Sequence, residues 1–365
     1  MKIVVFAYDL VVAGVTVNAI ELAAALRDLH GHEVVLFAGP GPMIKLAEAK
    51  GLRYLPAPPA HLRVHPSPAR ISALRDVIRS ERPDLIHVWE WVQYLDAYYV
   101  EYLLMGVPMI VTDMSMKLQR ILPKALPTTF GTPEVRDQAR AAGHRQNDVI
   151  LPPVDVHLNA PGAVDPQAFR DRYGIENSDI TLVTVSRLDR YMKGESLYRT
   201  LDAVSTLGAS LPLRLVIVGD GDEHANLRRL ADITNVKLGR SAVVLTGALV
   251  DPRPAYAAAD IVIGMGGSAL RGMAFGKPVL VVGEQGFCAP FSPVTSESFL
   301  YRGIYGLGDG DPSNARLAAN IRSLVLRDDA LRALGDYSRA FVEAHFSLEV
   351  VSARLSAFCE GAVAN

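Results

Sequence analysis

Cysteine is nearly absent from this chain. Only Cys288 and Cys359 among 365 residues carry a thiol, too few for a disulfide framework, so a reducing cytoplasm is the expected setting. A dominant charge is lacking too: the net charge of -2 leaves no footprint for nucleic acid or an acidic membrane. No apolar run is long enough to span a bilayer. The opening residues, MKIVVFAYDLVVAGVTV, superficially resemble a signal peptide. A single Lys, the interrupting Asp9 and a patterned helix behind them read instead as a first strand. What is present is a globular composition, half apolar and about a fifth charged, on a chain long enough for about two domains.

The periodicity alternates. Short β-branched runs predict strands at 2–6, 33–37, 53–55, 84–88, 108–111, 128–131 and 148–151. Helical spacing falls between them at 15–26, 43–50, 69–80, 89–104 and 134–142, with a Pro- and His-rich loop at 56–68. Residues 152–166 carry four prolines and a glycine, which marks a linker. The alternation then restarts. Strands are expected at 180–185, 213–218, 242–245, 261–263 and 278–282, and helices at 195–206, 223–231, 253–259 and 268–275. An irregular stretch follows at 283–310, then helices at 314–326, 330–343 and 348–359. Such alternation predicts an α/β chain of two doubly wound halves, each with a mostly parallel sheet, whose loops face a central cleft.

The most informative stretch is 181–194, TLVTVSRLDRYMKG. It reads as a buried strand that ends in a polar loop before a helix, where open α/β sheets bind ligands. Arg187 offers a planar fork of donors and Lys193 a mobile point charge, a pair suited to a diphosphate and equally compatible with a solvated basic loop. Asp220-Gly221-Asp222 follows a strand and reads as a tight turn in preference to a metal site, so no metal is expected. Gly219 and Gly221 lack the third glycine of a dinucleotide fingerprint. His30 and His32 flank Gly31 at a helix end, where capping is the favoured role. His87, at a strand end, is open between ligand contact and a satisfied buried histidine. Trp89, Glu90, Trp91 and Tyr94 follow it, and suit either a cyclic acceptor or the core. Glu284 follows the strand at 278–282 and could touch either substrate, while Cys288 has no partner in sequence that would make it a nucleophile.

Taken in order, several short motifs resemble one family along nearly the whole chain. They are Ala13-Gly14, His30-Gly31-His32-Glu33-Val34, Pro83-Asp84-Leu85-Ile86-His87, the NDVILPPVDV of 147–156, Ser186-Arg187 and Lys193-Gly194. Val218-Gly219-Asp220-Gly221, Ala258-Ala259-Asp260 and the segment 272–279 complete the set. Together they resemble the retaining, nucleotide-sugar-dependent glycosyltransferases of the GT-B fold, the group that includes sucrose synthase and many bacterial mannosyl- and glucosyltransferases. The resemblance implies two Rossmann-like domains, an acceptor-side domain at 1–155 and a nucleotide-sugar-binding domain at 156–345, with a terminal helix at 346–365 packing back on the first. It implies that Arg187 and Lys193 hold the donor diphosphate, and that Thr246, Gly247 and Leu249 meet the base. Gly264, Gly266, Gly267 and Ser268 would give backbone to the donor, and Gly14 would approach the diphosphate.

Two departures from the family stand out. The two carboxylates that usually bracket the turn before the helix at 268 are replaced by Ile263 and Arg271, and Arg271 is reassigned to a phosphate. After the strand at 108–111 the family often has a His, whereas here Asp113 is the nearest candidate for catalysis. Glu90, Trp89, His87 and Glu284 form the acceptor side. The implied activity is retaining transfer from a nucleoside-diphosphate sugar to a soluble small-molecule acceptor, with natural-product biosynthesis as one setting. No tightly bound cofactor, nucleic acid or membrane segment is involved. The alternative is an altered pseudo-enzyme or nucleotide-sugar-binding module.

Overall fold

The computed structural model describes residues 1–59, 66–98, 102–311 and 313–364. The chain divides into two compact units, Met1–Pro153 with His345–Asn365, and Val154–Ala344. The first unit has strands β1 (Lys2–Phe6), β2 (Glu33–Ala38), β3 (Arg53–Pro56), β4 (Leu85–Trp89), β5 (Met109–Asp113), β6 (Thr128–Phe130) and β7 (Asn147–Val149). They lie in the order β3-β2-β1-β4-β5-β6-β7, all parallel. The second unit has β8 (Ile180–Val185), β9 (Leu213–Val218), β10 (Val243–Gly247), β11 (Ile261–Gly264), β12 (Val279–Val282) and β13 (Cys288–Pro290). Their order is β10-β9-β8-β11-β12-β13, with only β13 antiparallel to its neighbour. In both sheets the chain enters at the centre and winds outward in both directions, so the strand order reverses beside β1 and beside β8.

The strands are continuous apolar runs because both faces of each sheet are covered. In the first unit Ile3, Val5, Val34 and Leu36 join one core cluster, while Val4, Phe6, Val35 and Phe37 join another on the opposite face. Each fully buried side chain of this kind contributes roughly 1.5–3 kcal/mol. The helix Leu348–Ala364 adds Leu348, Val351, Leu355 and Cys359 to the first cluster and packs on the helix Gly14–Asp28. His30 Nε2 lies 2.9 Å from Ser352 Oγ and His32 Nε2 2.7 Å from Ser356 Oγ. The two histidines therefore pin the terminal helix, and the cap of the first helix is left to the backbone of Leu29 and Gly31.

Backbone bonds fix the loop after each central strand. In the first unit the Leu10 N–H donates to the Gly39 carbonyl at 3.0 Å and the Met43 N–H to Leu10 at 2.8 Å. A Cβ on Gly41 would stand 2.3 Å from the Leu10 carbonyl oxygen. The buried Arg70 holds the same loop from below: Nη1 reaches Asp9 Oδ1 at 3.4 Å, Nε reaches Asp96 Oδ2 at 3.1 Å, and the guanidinium covers the Phe6 ring. In the second unit Leu188 N–H donates to Asp220 at 2.9 Å and Glu223 N–H to Leu188 at 2.8 Å. Cβ atoms on Gly219 and Gly221 would fall 1.8 Å from the Ser186 carbonyl oxygen and 2.6 Å from that of Leu188.

The main differences from the sequence pattern are local. Trp89 ends β4 and the following helix is Glu90–Ala97. Strand β5 extends to Asp113, and a helix at Gln167–Tyr173 follows the linker. The stretch 283–310 is not irregular throughout, since it holds β13 and the helix Ser296–Arg302. Residues 60–65 of the expected loop and 99–101 of the expected long helix lie outside the described residues.

The glycine contacts predict an asymmetry in stability. Gly219→Ala should destabilise the protein by about 2 kcal/mol or more, because its Cβ meets a fixed carbonyl and its φ of 143° disfavours a side chain. Gly14→Ala, with nothing within 4 Å of the added carbon and a place in the first turn of a helix, should leave the thermal midpoint unchanged or raise it slightly. Equal midpoints for the two variants would contradict this account.

Candidate functional site

The second unit gathers its polar groups at the carboxyl edge of its sheet. Strand β8 ends at Val185 and delivers Arg187, whose side chain is 64% exposed and lies 3.2 Å from Asp189. The turn Arg190–Gly194 is kinked at Met192, which has φ of 62°, and this brings Lys193 back toward the sheet as a half-buried side chain. Burial lowers the Lys193 ammonium to about 8, with Asp189 and Glu284 opposing the shift and Arg187 adding to it. Asp189, Arg187, Glu284 and Lys193 therefore form one electrostatic group.

Glu195, one helical turn's start beyond Lys193, ties this loop to the one after β12. Its carboxylate accepts from the Gln285 N–H at 2.9 Å and the Gly286 N–H at 2.6 Å. Glu284 is held in turn by the Tyr305 hydroxyl, which donates to Oε2. Burial and the adjacent Glu284 push the Tyr305 hydroxyl well above the usual phenol range. The loop that carries Tyr305 lies against the Glu284 loop through small residues: a Cβ on Gly283 would stand 1.8 Å from the Gly306 carbonyl oxygen. Sequence reasoning grouped Glu284 with the acceptor side; the structure places it in the second unit beside Lys193, because β12 lies next but one to β8 in the sheet. Glu195 and Tyr305 were missed. The spacing of Gly303, Gly306, Gly308 and Gly310 is the signal that could have marked a close backbone approach there.

The other expected residues of this unit share that edge. Gly264 ends β11, and the helix Gly267–Ala274 starts immediately beyond it. The first helical bond is donated by Leu270 to the Gly266 carbonyl, so the N–H groups of Gly267, Ser268 and Ala269 precede the ladder. Gly266, with φ of 55°, instead donates its own N–H to the Ile304 carbonyl at 2.7 Å. Arg271 folds back along its helix, with Nη1 3.3 Å from the Gly267 carbonyl oxygen, which keeps a cation at the first turn. Ile263 is interior to β11 and fully in the core. Thr246 and Gly247 end β10, Leu249 follows, and the Gly219 N–H donates to the Gly247 carbonyl at 3.0 Å. Asp220 accepts from the Gly221 N–H at 2.8 Å, the geometry of a turn.

In the first unit, Glu90 and Asp113 stand side by side at the ends of β4 and β5, one residue beyond the paired Trp89 and Thr112. Asp113 is fully buried, and its Oδ1 accepts from the Ser115 N–H at 3.0 Å and hydroxyl at 2.5 Å. Glu90 Oε1 accepts from the Met114 N–H at 3.1 Å. Two acceptor-side expectations fail on geometry. His87 is interior to β4, with Nε2 2.7 Å from Thr112 Oγ1, and burial lowers it to about 3, so it is a neutral core residue. Trp89 is 1% exposed and packs on the His87 ring, because its strand position points it into the core cluster. Gly14 opens its helix and is exposed, with room around it.

Residues 12–129 match the family profile described as Glycosyltransferase Family 4, and residues 179–291 match that described as Glycosyl transferases group 1. No curated protein matches the chain. Among solved structures, a glycosyltransferase from Rickettsia africae ESF-5 superposes with a TM-score of 0.78 at 16% identity, covering 100% of this chain and 99% of the other. Anabaena HepE in complex with UDP gives 0.75 at 15% identity, covering 99% and 100%. Its complex with UDP-glucose gives 0.73 at 15% identity over the same shares.

The arrangement around Lys193 makes a titration prediction. After reductive ¹³C-methylation, the Lys193 signal should titrate near 8, well below the ordinary lysine value of 10.5; Lys277 is also lowered by its burial. Arg187→Ala should move the Lys193 midpoint up and Asp189→Asn should move it down, because the first removes a repelling charge and the second an attracting one. An NMR titration that shows no such opposed shifts would dissolve the group.

Proposed function

We propose that this chain, whose two halves match glycosyltransferase profiles on a GT-B fold, is an enzyme that moves a sugar from a nucleoside-diphosphate sugar to a soluble small-molecule acceptor with retention. The observation that carries the reading is the pairing of exposed Arg187 with half-buried Lys193 at the end of β8, where the strand order reverses. Two cations there neutralise the charge that develops on a departing diphosphate, and the partial burial of Lys193 strengthens its share. In the reaction the bond from the anomeric carbon to phosphate oxygen breaks, the acceptor oxygen bonds to that carbon on the same face, and the acceptor proton passes to the departing phosphate. The binding of UDP and UDP-glucose by HepE supports the donor class.

The remaining roles follow from position. Gly267, Ser268 and the Arg271 guanidinium offer donors to a phosphate at the start of their helix, with Gly264 and Gly266 shaping the approach. Thr246, Gly247 and Leu249 border the base at the end of β10. Glu284 faces the donor, where a carboxylate beside Lys193 can accept from a sugar hydroxyl. In the first unit Gly14 leaves room for substrate, and Glu90 with Asp113 serves the acceptor. A cytoplasmic setting in natural-product biosynthesis is part of the proposal, as is the absence of a metal requirement. A second reading, a nucleotide-sugar-binding module without turnover, is favoured by one observation: Arg271 puts a cation where its helix begins, a feature that rewards phosphate binding as such.

Calorimetric titration with UDP, GDP, dTDP and ADP tests the donor site. One nucleotide should bind in the micromolar range, and Arg187→Ala/Lys193→Ala should weaken it at least 100-fold. The affinity should also fall as pH rises through 8, since the site then binds its anion only by recapturing the Lys193 proton. Absence of binding by all four would sink the proposal, while binding without donor consumption would select the second reading.

A further inference from the structure

Lys193 and Glu284 stand on different loops of the second unit, so their spacing depends on what joins those loops. The loop after β12 is gripped from one side by the glycine-rich segment. The Gly308 N–H donates to the Glu284 carbonyl at 2.9 Å and the Gly310 N–H to that of Gln285 at 3.0 Å. A Cβ on Gly308 would stand 2.1 Å from the Gln285 carbonyl oxygen, and the Tyr305 hydroxyl holds the Glu284 carboxylate itself. On the other side Gln285 and Gly286 both have positive φ, 54° and 80°, and their successive N–H groups converge. Backbone arranged in this way makes a concavity for an anion. Glu195 fills it: Oε2 accepts from Gln285 at 2.9 Å and Oε1 from Gly286 at 2.6 Å, one oxygen for each N–H. Behind it the buried Arg199 has Nη1 3.7 Å from Glu195 Oε1, and its Nε donates to the Ser313 carbonyl at 3.1 Å. Glu195 is also the first residue of the helix Glu195–Leu207, two residues beyond Lys193, so one side chain ties both loops to one helix.

We propose that Glu195 is a positioning residue for sugar recognition: by locking the Gln285 and Gly286 N–H groups to the helix behind Lys193, it sets the Glu284 carboxylate where it reads the donor sugar. Glu195 touches no substrate and acts through Glu284. The sugar half of the inference rests on the proposed donor reading; the lock does not. The selectivity for sugar over nucleotide follows from what else is tied down. The Lys193 turn keeps a second tie to its helix, the Ser196 hydroxyl donating to the Lys193 carbonyl at 2.9 Å. The loop of Arg187 is held by the Leu188 N–H on Asp220, and the end of β10 by the Gly219 N–H on Gly247. Loss of the Glu195 carboxylate therefore leaves the groups assigned to diphosphate and base in place, and leaves the Glu284 loop gripped from one side.

Glu195→Gln is the test variant, because a carboxamide offers one acceptor oxygen and leaves one of the two N–H groups without a partner. In the full chain without ligand, the Gln285 and Gly286 amides should exchange with solvent about tenfold faster than in the wild type. Those of Leu188 and Gly219 should keep their rates. Unchanged exchange at Gln285 and Gly286 would overturn the lock. The second readout is calorimetry with UDP, GDP, dTDP and ADP, each beside its glucose ester. For the base that binds, Glu195→Gln should weaken the sugar nucleotide about fivefold or more and the bare nucleotide by less than about twofold. A residue that merely held the fold together would weaken both alike. Glu284→Gln should show the same selective loss, and the double variant should bind no more weakly than Glu284→Gln alone, since one residue acts through the other. Additive losses, or equal losses for nucleotide and sugar nucleotide, would overturn the positioning role. Should Glu195→Gln not fold, Tyr305→Phe releases the same Glu284 carboxylate from its other side, and the same selective loss is expected of it. Amide exchange needs no ligand: absence of all binding by the wild type would remove the donor reading and the sugar role together, while exchange still decides the lock.

Discussion

Backbone pressed against backbone is the constraint on which both halves of this protein depend. The loop after each central strand is hydrogen-bonded to the loop after its neighbour, Leu10 to Gly39 in one unit and Leu188 to Asp220 in the other. Such closeness needs residues without a Cβ on the facing loop, which is why Gly41, Gly219 and Gly221 stand where they do. A loop held in this way cannot wander, and side chains on it keep their places without support from a ligand. In the second unit that loop carries Arg187, and the rigidity is what would make an exposed arginine a defined partner for the anion proposed above. In the first unit the loop leads to Gly14, and Arg70 adds a second anchor through Asp9 and Asp96. Removing one partner of a buried set of that kind costs roughly 3–5 kcal/mol, because charges are left uncompensated.

The two units use charge in opposite ways. The second leaves cations only partly paired: Lys193 is buried enough to lose affinity for its proton, and Glu284 and Asp189 return only part of it. On the proposed donor reading a phosphate supplies the rest, so the cost of burying Lys193 is recovered when an anion arrives. The first unit buries the Glu90 and Asp113 carboxyls, on which no cation acts among the described residues, and burial raises both. His87 resolves a similar conflict by staying neutral along the chain of hydroxyls from Thr112 to Thr129. These are three answers to the same desolvation problem, and the answer at Lys193 is the one the proposed donor site uses.

Much of this was legible in the sequence for a physical reason. Buried parallel strands are short β-branched runs, so β1, β8, β9 and their neighbours announce themselves, and their alternation with helices gives the α/β class. The loop ends of β8 and β11 follow from the same pattern. The failures share one cause, which is that burial depends on which way a residue points. Trp89 and His87 sit near a strand end and invite a ligand reading, yet the pleat turns both into the core. Asp113 was placed after its strand and proves to be its last residue, which is why it is buried. Glu284 could touch either substrate on sequence grounds, and the sheet order brings it to the same edge as Arg187. The Gly303 to Gly310 region carries no period that a strand or helix would show. Only its close contact with Gly283 and Gln285 shows that it packs on the loop of Glu284.

Strain follows the same map. Among the described residues four non-glycine positions have a positive φ: Arg82, Glu90, Met192 and Gln285. Arg82 is the left-handed cap of its helix, a place where such a conformation is routine. The other three have no such excuse, and each costs about 1 kcal/mol or more. Met192 precedes Lys193, Gln285 follows Glu284, and Glu90 belongs to the carboxyl pair. Gln285 is held by the Glu195 carboxylate, and Glu90 by the Met114 N–H, so in both cases a charged or polar side chain offsets the backbone cost. A fold under no demand from ligands would relax these turns by placing glycine there, as it does at Gly219, Gly247 and Gly266. Side chains are retained at Glu90, Met192 and Gln285 despite the cost, and all three lie within one residue of a group proposed to meet substrate or belong to such a group. Strain at these positions fixes the direction in which the chain leaves Glu90, Met192 and Gln285, which is the property that the proposed substrate recognition would need there.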